Sequence, residues 1–282
     1  MSVMPRPRAD ETAPAAEGRR ETPPLHSALH PWVESVSLDD VGGPTGPRRR
    51  RTQPPDPATA LVWRTTAEGR SDLLVLGPRT RAAYRAGKEL PLCVRLRLRP
   101  GHAESLLDVP VDEIADRTVP LRDLWGRQAA LLAEELADLG ADPPGVLRRL
   151  ETTLLGRVTD RTGPALDRVR LLRAATARLA GGLRRTPERL GDVARDAGLS
   201  ERRLRTVFTS AVGLSPRRFA RVTRVRTVLA ATSAGVDSWS RLAVDAGYYD
   251  QSHLTAEFRE VMQVTPGRFA AGRLPEAAPC RS

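Results

Sequence analysis

The 282-residue sequence predicts an α+β amino-terminal domain followed by an all-α carboxy-terminal domain of two helix-turn-helix units joined by a linker helix. Three features carry that prediction. An internal repeat, offset by 49 to 50 residues, occupies the last hundred positions. Short apolar runs with strand-like alternation fill the first part of the chain. Beyond about residue 127 the apolar spacing becomes helical.

Charge and cysteine content narrow the class. The formal net charge is +11, and Lys88 is the only lysine, so arginine supplies nearly all of the positive charge. Such an excess predicts an anionic partner, nucleic acid being the commonest. Cys93 and Cys280 form no CxxC pair, which excludes a cysteine-built zinc site and makes a disulfide framework implausible. His26, His30, His102 and His253 lack ligand spacing, so no metal site, cofactor or catalytic constellation is predicted and the chain reads as not an enzyme. No apolar run reaches the ~18 residues of a membrane helix, and MSVMPRPRADE lacks a signal-peptide core. The chain therefore reads as soluble, reduced and cytoplasmic, with no membrane partner.

Residues 1–25 hold few bulky apolar groups and are predicted to be a disordered tail. Residues 26–126 read as a sensor-like or dimerisation domain. Within it, Gly42 to Pro57, with the Arg48–Arg51 run, reads as a solvated loop. Ala60–Trp63 and Leu73–Leu76 read as strands. Val94 to Arg99 alternates with period two, giving one apolar and one basic face. Short helical pieces follow at Ala103–Leu107 and Val111–Ala115, then Leu121, Leu124 and Trp125 as core anchors. His102 and Arg99 flank a Pro-Gly turn that reads as surface rather than pocket. Residues 127–182 form a helical connector, with segments at Leu131–Leu139, Val146–Val158 and Ala165–Leu179.

Residues 183–272 contain the repeat, and 273–282 are predicted to be a flexible tail. Asp196-Ala197-Gly198 recurs as Asp245-Ala246-Gly247. After one inserted residue, Leu204, Phe208, Pro216 and Phe219 recur as Leu254, Phe258, Pro266 and Phe269. In the first copy, Thr186-Pro187 offers an N-cap and a first-turn proline. Leu190, Val193, Ala194 and Ala197 make one apolar face, and Gly198 turns the chain. Ser200 caps the second helix, whose inward stripe is Leu204, Val207, Phe208, Ala211 and Val212. In the second copy, Ser238 or Asp237 caps, Leu242 and Ala243 face inward, and Gly247 turns. Asp250 then caps a helix buried through Leu254, Phe258, Val261 and Met262. Ser215-Pro216 opens a linker helix striped by Phe219, Val222, Val225 and Leu229.

The outward faces match as well as the inward ones. Arg202, Arg205, Thr206 and Thr209 are followed fifty residues later by Ser252, Thr255, Ala256 and Arg259. A helix fits the major groove, where arginine meets guanine, glutamine meets adenine, and threonine or alanine meets the thymine methyl. Arg202, Arg205, Thr206, Gln251, Ser252, Thr255 and Ala256 are therefore the candidate base-reading residues. Ser200 and Asp250 at the helix N-termini, with Thr209, Arg217, Arg218, Arg221, Arg224 and Arg259, are candidate phosphate contacts; Arg226 shares the linker helix. From residue 183 on, 17 arginines face 10 acidic residues, so +7 of the +11 lies on the repeat.

The stretches LGDVARDAGLSERRLRTVFTSAVGLSPRRFARVTRVRTVLA and LAVDAGYYDQSHLTAEFREVMQVTPGRF resemble the AraC-type DNA-binding domain. Within AGYYDQSHLTAEFREVMQVTP, Tyr248 stands for the usual Phe, Leu254 for a common Phe, and Gln263 for the usual Gly before Val264. The resemblance covers about a third of the chain. It implies a sequence-specific transcription regulator that inserts two recognition helices into successive major grooves of promoter DNA. By the same resemblance the base-reading positions fall on Arg202, Arg205 and Thr206, and on Gln251, Ser252, Thr255 and Ala256. The stretch VRLRLRPGHAESLLDVPVDEIADRTVPLRDLWG is similar to an uncharacterised domain preceding such modules in actinobacterial regulators. In the family these domains sense a small molecule or dimerise, often on a cupin-like barrel. A small-molecule effector, a second copy of the chain and RNA polymerase are the further partners this admits. Joined DNA-alkylation repair domains need a cysteine cluster that the two cysteines do not supply. A nonspecific nucleoid-type DNA binder or an interaction protein stays open as the alternative.

Overall fold

The computed structural model describes residues 24–39, 50–66, 69–86, 92–140, 142–159, 163–233 and 235–278. The expected tail falls almost wholly outside them, as do Arg48, Arg49 and the side chains of Arg50 and Arg51. Seven strands precede the main helical region: β1 (Val33–Asp39), β2 (Arg50–Gln53), β3 (Ala60–Thr65), β4 (Ser71–Leu76), β5 (Ala83–Ala86), β6 (Leu92–Leu98) and β7 (Thr118–Pro120). Five form an antiparallel sheet in the order β1-β6-β3-β4-β7, while β2 pairs with β5 alone. The sheet ends on β1 and β7, which do not pair with each other. Among the described residues it is open, unlike the cupin-like barrel that the resemblance entertained.

Alternation decides which face of the sheet is dry. Leu61 and Trp63 on β3, Leu73 and Val75 on β4, and Val94, Leu96 and Leu98 on β6 all enter one core. Helices α1 (Ala103–Leu107), α2 (Arg122–Trp125), α3 (Arg127–Asp138) and α4 (Pro143–Thr159) close over it. Leu132, Leu136, Val146, Leu147, Leu150 and Leu154 share that core, so α3 and α4 pack as part of the amino-terminal domain. Helix α5 (Gly163–Ala180) is the true junction: Val169 belongs to this core, and Leu172, Ala175 and Leu179 to the next.

The basic face of β6 is not a solvated surface. Arg97 pairs with Asp56 at 2.6 Å and also with Glu34. Burial alone would raise the Asp56 carboxyl, but Arg97, joined by Arg226, holds it below the usual carboxylate range. The expected solvated loop through residue 57 ends in strand β2 and in buried Pro55 and Pro57. The Pro-Gly turn also differs from expectation. His102 is 1 % exposed, with its ring edge-on to Trp32 at 5.6 Å. Gly101 beside it abuts Leu172 of α5 and Val212 of the repeat, which explains the burial.

Six further helices follow among the described residues: α6 (Leu190–Asp196), α7 (Glu201–Val212), α8 (Pro216–Ser233), α9 (Trp239–Asp245), α10 (Gln251–Met262) and α11 (Pro266–Ala270). Each repeat has its own core. Val193, Ala194, Leu204, Phe208, Ala211 and Val212 fill the first, and Leu242, Ala243, Leu254, Phe258, Val261 and Met262 the second. Helix α8 serves both, through Phe219 and Val222 in one and Val225 and Val228 in the other. Equivalent aromatic pairs, Phe208–Phe219 at 5.3 Å and Phe258–Phe269 at 5.8 Å, meet edge to face in each. Of the expected flexible tail, residues 273–278 are described and fold back: Leu274 packs on the second core, and Ala278 N–H donates to Tyr84 O of β5. No helix of the described residues is long and apolar enough to cross a membrane.

Candidate nucleic-acid interface

Local capping sets where each recognition helix begins. Ser200 Oγ accepts from the Arg203 N–H at 3.2 Å, and Asp250 Oδ1 from the His253 N–H at 2.7 Å. Both expected phosphate contacts thus spend side-chain oxygens on their own helices, although the free N–H groups of those first turns remain. Ser238, rather than Asp237, caps α9, accepting from Arg241 N–H at 3.3 Å. Thr186-Pro187 does not start α6, which begins at Leu190 after Arg189. The reason is tertiary: Glu188 N–H donates to Arg178 O of α5 at 3.1 Å, and the Pro187 ring packs on Gly181.

The turns fix the alignment of the two copies. Leu199 N–H donates to Ala194 O and Tyr248 N–H to Ala243 O, each at 2.9 Å, so Leu199 and Tyr248 are equivalent. The caps Ser200 and Asp250 are equivalent too, fifty residues apart, and Tyr249 is therefore the inserted residue. Its side chain is 90 % exposed at the entrance of α10. Sequence reasoning noted an insertion without assigning it a role; the double tyrosine before the cap was the available signal.

All the outward positions reach the surface. Arg202, Arg205, Thr206, Gln251, Ser252 and Ala256 are exposed, while Thr255 and Thr209 are half-buried and Arg259 is exposed. Arg202, Arg217, Arg218 and Arg259 have no acidic partner among the described residues. Arg205 pairs with Glu201 one turn back, and the Thr206 hydroxyl donates to Arg202 O at 3.1 Å. Gln251 Oε1 accepts from Ser240 Oγ at 2.8 Å, steadying the amide between α9 and α10.

The linker arginines divide into two kinds. Arg217 and Arg218 are exposed. Arg224 makes two hydrogen bonds to Glu257, at 2.7 and 3.1 Å, and Arg221 pairs with Glu260 and lies 3.6 Å from Glu257. Glu257 and Glu260 sit on α10 facing α8, so the guanidinium groups of Arg221 and Arg224 are engaged by carboxylates across the two helices. Burial would lower the Arg224 pKa, yet Glu257 drives it above the ordinary arginine value. Arg224 also lies over the Tyr248 ring at 5.3 Å. Arg226 turns to the other domain, donating to Pro55 O at 3.1 Å. A cleft of about 360 Å³ remains between α8 and α10, lined by Arg217, Arg221 and Arg224 and by His253, Ala256 and Glu260. Among the described residues, no group of three or more histidine, cysteine or acidic side chains is gathered as a metal would require.

Residues 193–272 match the helix-turn-helix domain family. Within that match, the residues from Gly247 to Pro266 resemble the signature of the AraC-type helix-turn-helix domain. No curated protein sequence matches the chain. Among solved structures, it is similar to a transcriptional regulator with an AraC-type DNA-binding domain from Chromobacterium violaceum. Identity there is 20 %, over 37 % of this chain and 92 % of that one, with a TM-score of 0.34. The C-terminal domain of AraT, a response regulator from Geobacillus stearothermophilus, is 18 % identical over 42 % of this chain and 92 % of its own, with a TM-score of 0.35. ToxT from Vibrio cholerae O395 is 8 % identical over 79 % and 94 % respectively, with a TM-score of 0.40.

Proposed function

We propose that the chain is a sequence-specific transcription regulator that reads promoter DNA with the amino-terminal halves of α7 and α10, placed in successive major grooves. The observation supporting this most strongly is the duplication of polar faces at a fifty-residue offset on helices whose opposite faces are separately buried. Base reading falls to Arg202, Arg205 and Thr206 in the first unit and to Gln251, Ser252, Thr255 and Ala256 in the second. Phosphate contact falls chiefly to the unpaired cations Arg217, Arg218 and Arg259 and to the helix N-termini at Ser200 and Asp250, with Thr209 at the margin. Tyr249 adds an exposed ring at the entrance of α10, suited to a sugar or a thymine methyl.

Effector sensing, dimerisation and contact with RNA polymerase belong to the same proposal, with the amino-terminal domain as the regulatory half. Its cleft of about 430 Å³, bounded by Asp108, Gln128, Arg149, Thr152 and Arg157, is where an effector would first be sought. Footprinting with the full chain on its own promoter region tests the DNA reading. Local protection is expected, and uniform protection favours the nonspecific nucleoid-type binder. Arg202→Ala should weaken the specific site by about 1–3 kcal/mol and relax preference at one base. Equal weakening on random DNA would contradict base reading. Arg217→Ala should instead weaken all sequences alike and reduce the salt slope by about 0.9.

A further inference from the structure

The carboxy-terminal ends of the two recognition helices meet one and the same segment of the amino-terminal domain. Helix α7 ends at Gly213 (φ 78°) and α10 at Gln263 (φ 58°), equivalent left-handed caps fifty residues apart. A methyl group on Gly213 would lie 2.9 Å from Pro78 Cγ and 2.9 Å from Val111 O, so the first cap is pressed against Pro78 and also against Val111. At the second cap, Gln263 Nε2 donates to Ala82 O at 2.9 Å and Ala82 N–H donates to Val261 O at 2.9 Å. The Tyr84 hydroxyl donates to Met262 O at 2.7 Å. Only three residues separate Pro78 from Ala82, and both lie between β4 and β5.

That segment is stiff. Gly77 N–H donates to Arg117 O at 2.9 Å, and Asp116 N–H to Pro78 O at 2.7 Å. Thr80 bonds Asp116 through both its amide and its hydroxyl, each at 2.7 Å. Arg79 and Asp56 exchange backbone bonds at 2.7 and 2.9 Å. Gly77 itself comes so close to Ile114 O that no side chain fits there. The left-handed cap at 263 also carries a cost. Glycine adopts that backbone freely, as in the first unit, whereas a glutamine is disfavoured there. Here the glutamine holds an inter-domain hydrogen bond that glycine lacks.

From this we infer that residues 77–84 act as a spacer bar that sets the separation of the two recognition helices, with Gly213, Tyr84 and Gln263 as positioning residues for the spacing of DNA half-sites. Helix α8 joins the units through the chain, and the bar contacts the carboxy-terminal caps of both recognition helices. The helix ends it grips lie opposite the amino-terminal turns that would enter DNA. The inference rests on the proposed DNA reading and adds what determines its geometry. One inserted base pair displaces a half-site by about 3.4 Å and rotates it by roughly 35°, so a rigid frame should penalise such an insertion and a loosened one should tolerate it.

The test uses the full chain and two DNA duplexes: the footprinted site, and the same site with one base pair inserted at its centre. Gln263→Gly keeps the left-handed cap while removing the amide, and Tyr84→Phe removes only a hydroxyl. In the double variant, the affinity ratio between the two duplexes should shrink by about five-fold or more relative to wild type, the equivalent of about 1 kcal/mol for the two lost hydrogen bonds together. Affinity for the uninserted site should change less than that ratio does. Tyr84→Phe alone provides a second arm if the double variant melts early in urea. A folded variant penalised as strongly as wild type overturns the spacer bar, as does a specific wild type indifferent to the insertion. A wild type that binds random DNA equally well removes the regulator reading and the spacer with it.

Discussion

Lowering the pH should expose how His102 is held. Its side chain is 1 % exposed at the junction of the sheet domain with α5 and the first helix-turn-helix unit. Burial, with the positive charges of Arg99 and Arg173 nearby, pushes its pKa down from the ordinary 6.5 to about 4. The native state therefore keeps the ring neutral in a range where the unfolded chain takes up a proton. Stability from this group is complete above pH 6.5 and is lost as the pH falls toward 4. Between pH 7 and pH 5 the loss works out at about 2 kcal/mol. Urea unfolding of wild type and His102→Leu at both pH values measures it, because every other titrating group is common to the two proteins. Wild type should lose about 2 kcal/mol more than the variant over that interval. Equal losses would refute the argument that the ring is held neutral.

Two other outcomes follow from the interface. Glu257→Gln strips the charge that neutralises Arg224 and Arg221 inside the second unit, where Glu257 is 8 % exposed. The variant should be less stable by about 2–3 kcal/mol in urea melts, and a loss below about 0.5 kcal/mol would show that water screens the pair. Tyr249→Ala should leave stability unchanged, because the ring is 90 % exposed, yet weaken specific DNA binding by about 1 kcal/mol. Unaltered binding in an electrophoretic shift titration would remove Tyr249 from the interface.

Much of the repeat was legible because its evidence is local. Apolar residues at helical spacing, Gly198 and Gly247 at the turns, and Ser200 and Asp250 at the caps act within a few residues of themselves, so periodicity finds them. The strands around Ala60, Leu73 and Val94 were legible for the same reason. Strands β1, β2, β5 and β7 were not: VESVSLD, RRTQ, AYRA and TVP carry little apolar alternation and are strands because partners elsewhere accept their hydrogen bonds. Thr186-Pro187 illustrates the converse, a sound local start signal overridden by contacts to Arg178 and Gly181.

The sequence by itself determined that two copies of one helical unit exist, which faces they bury, and which faces they leave to the outside. Side-chain periodicity is a property of the chain alone, and burial of an apolar stripe follows from it whatever the partner. Only the tertiary structure decided which arginines are spoken for. Arg217 and Arg221 look alike on a helical wheel, but Glu260 stands opposite one of them, 39 residues away. It likewise decided that His102 is dry and that the caps at Gly213 and Gln263 rest on a single stiff segment. Charge pairing, desolvation and spacing depend on distances between residues far apart in sequence, and those distances exist only once the chain has folded.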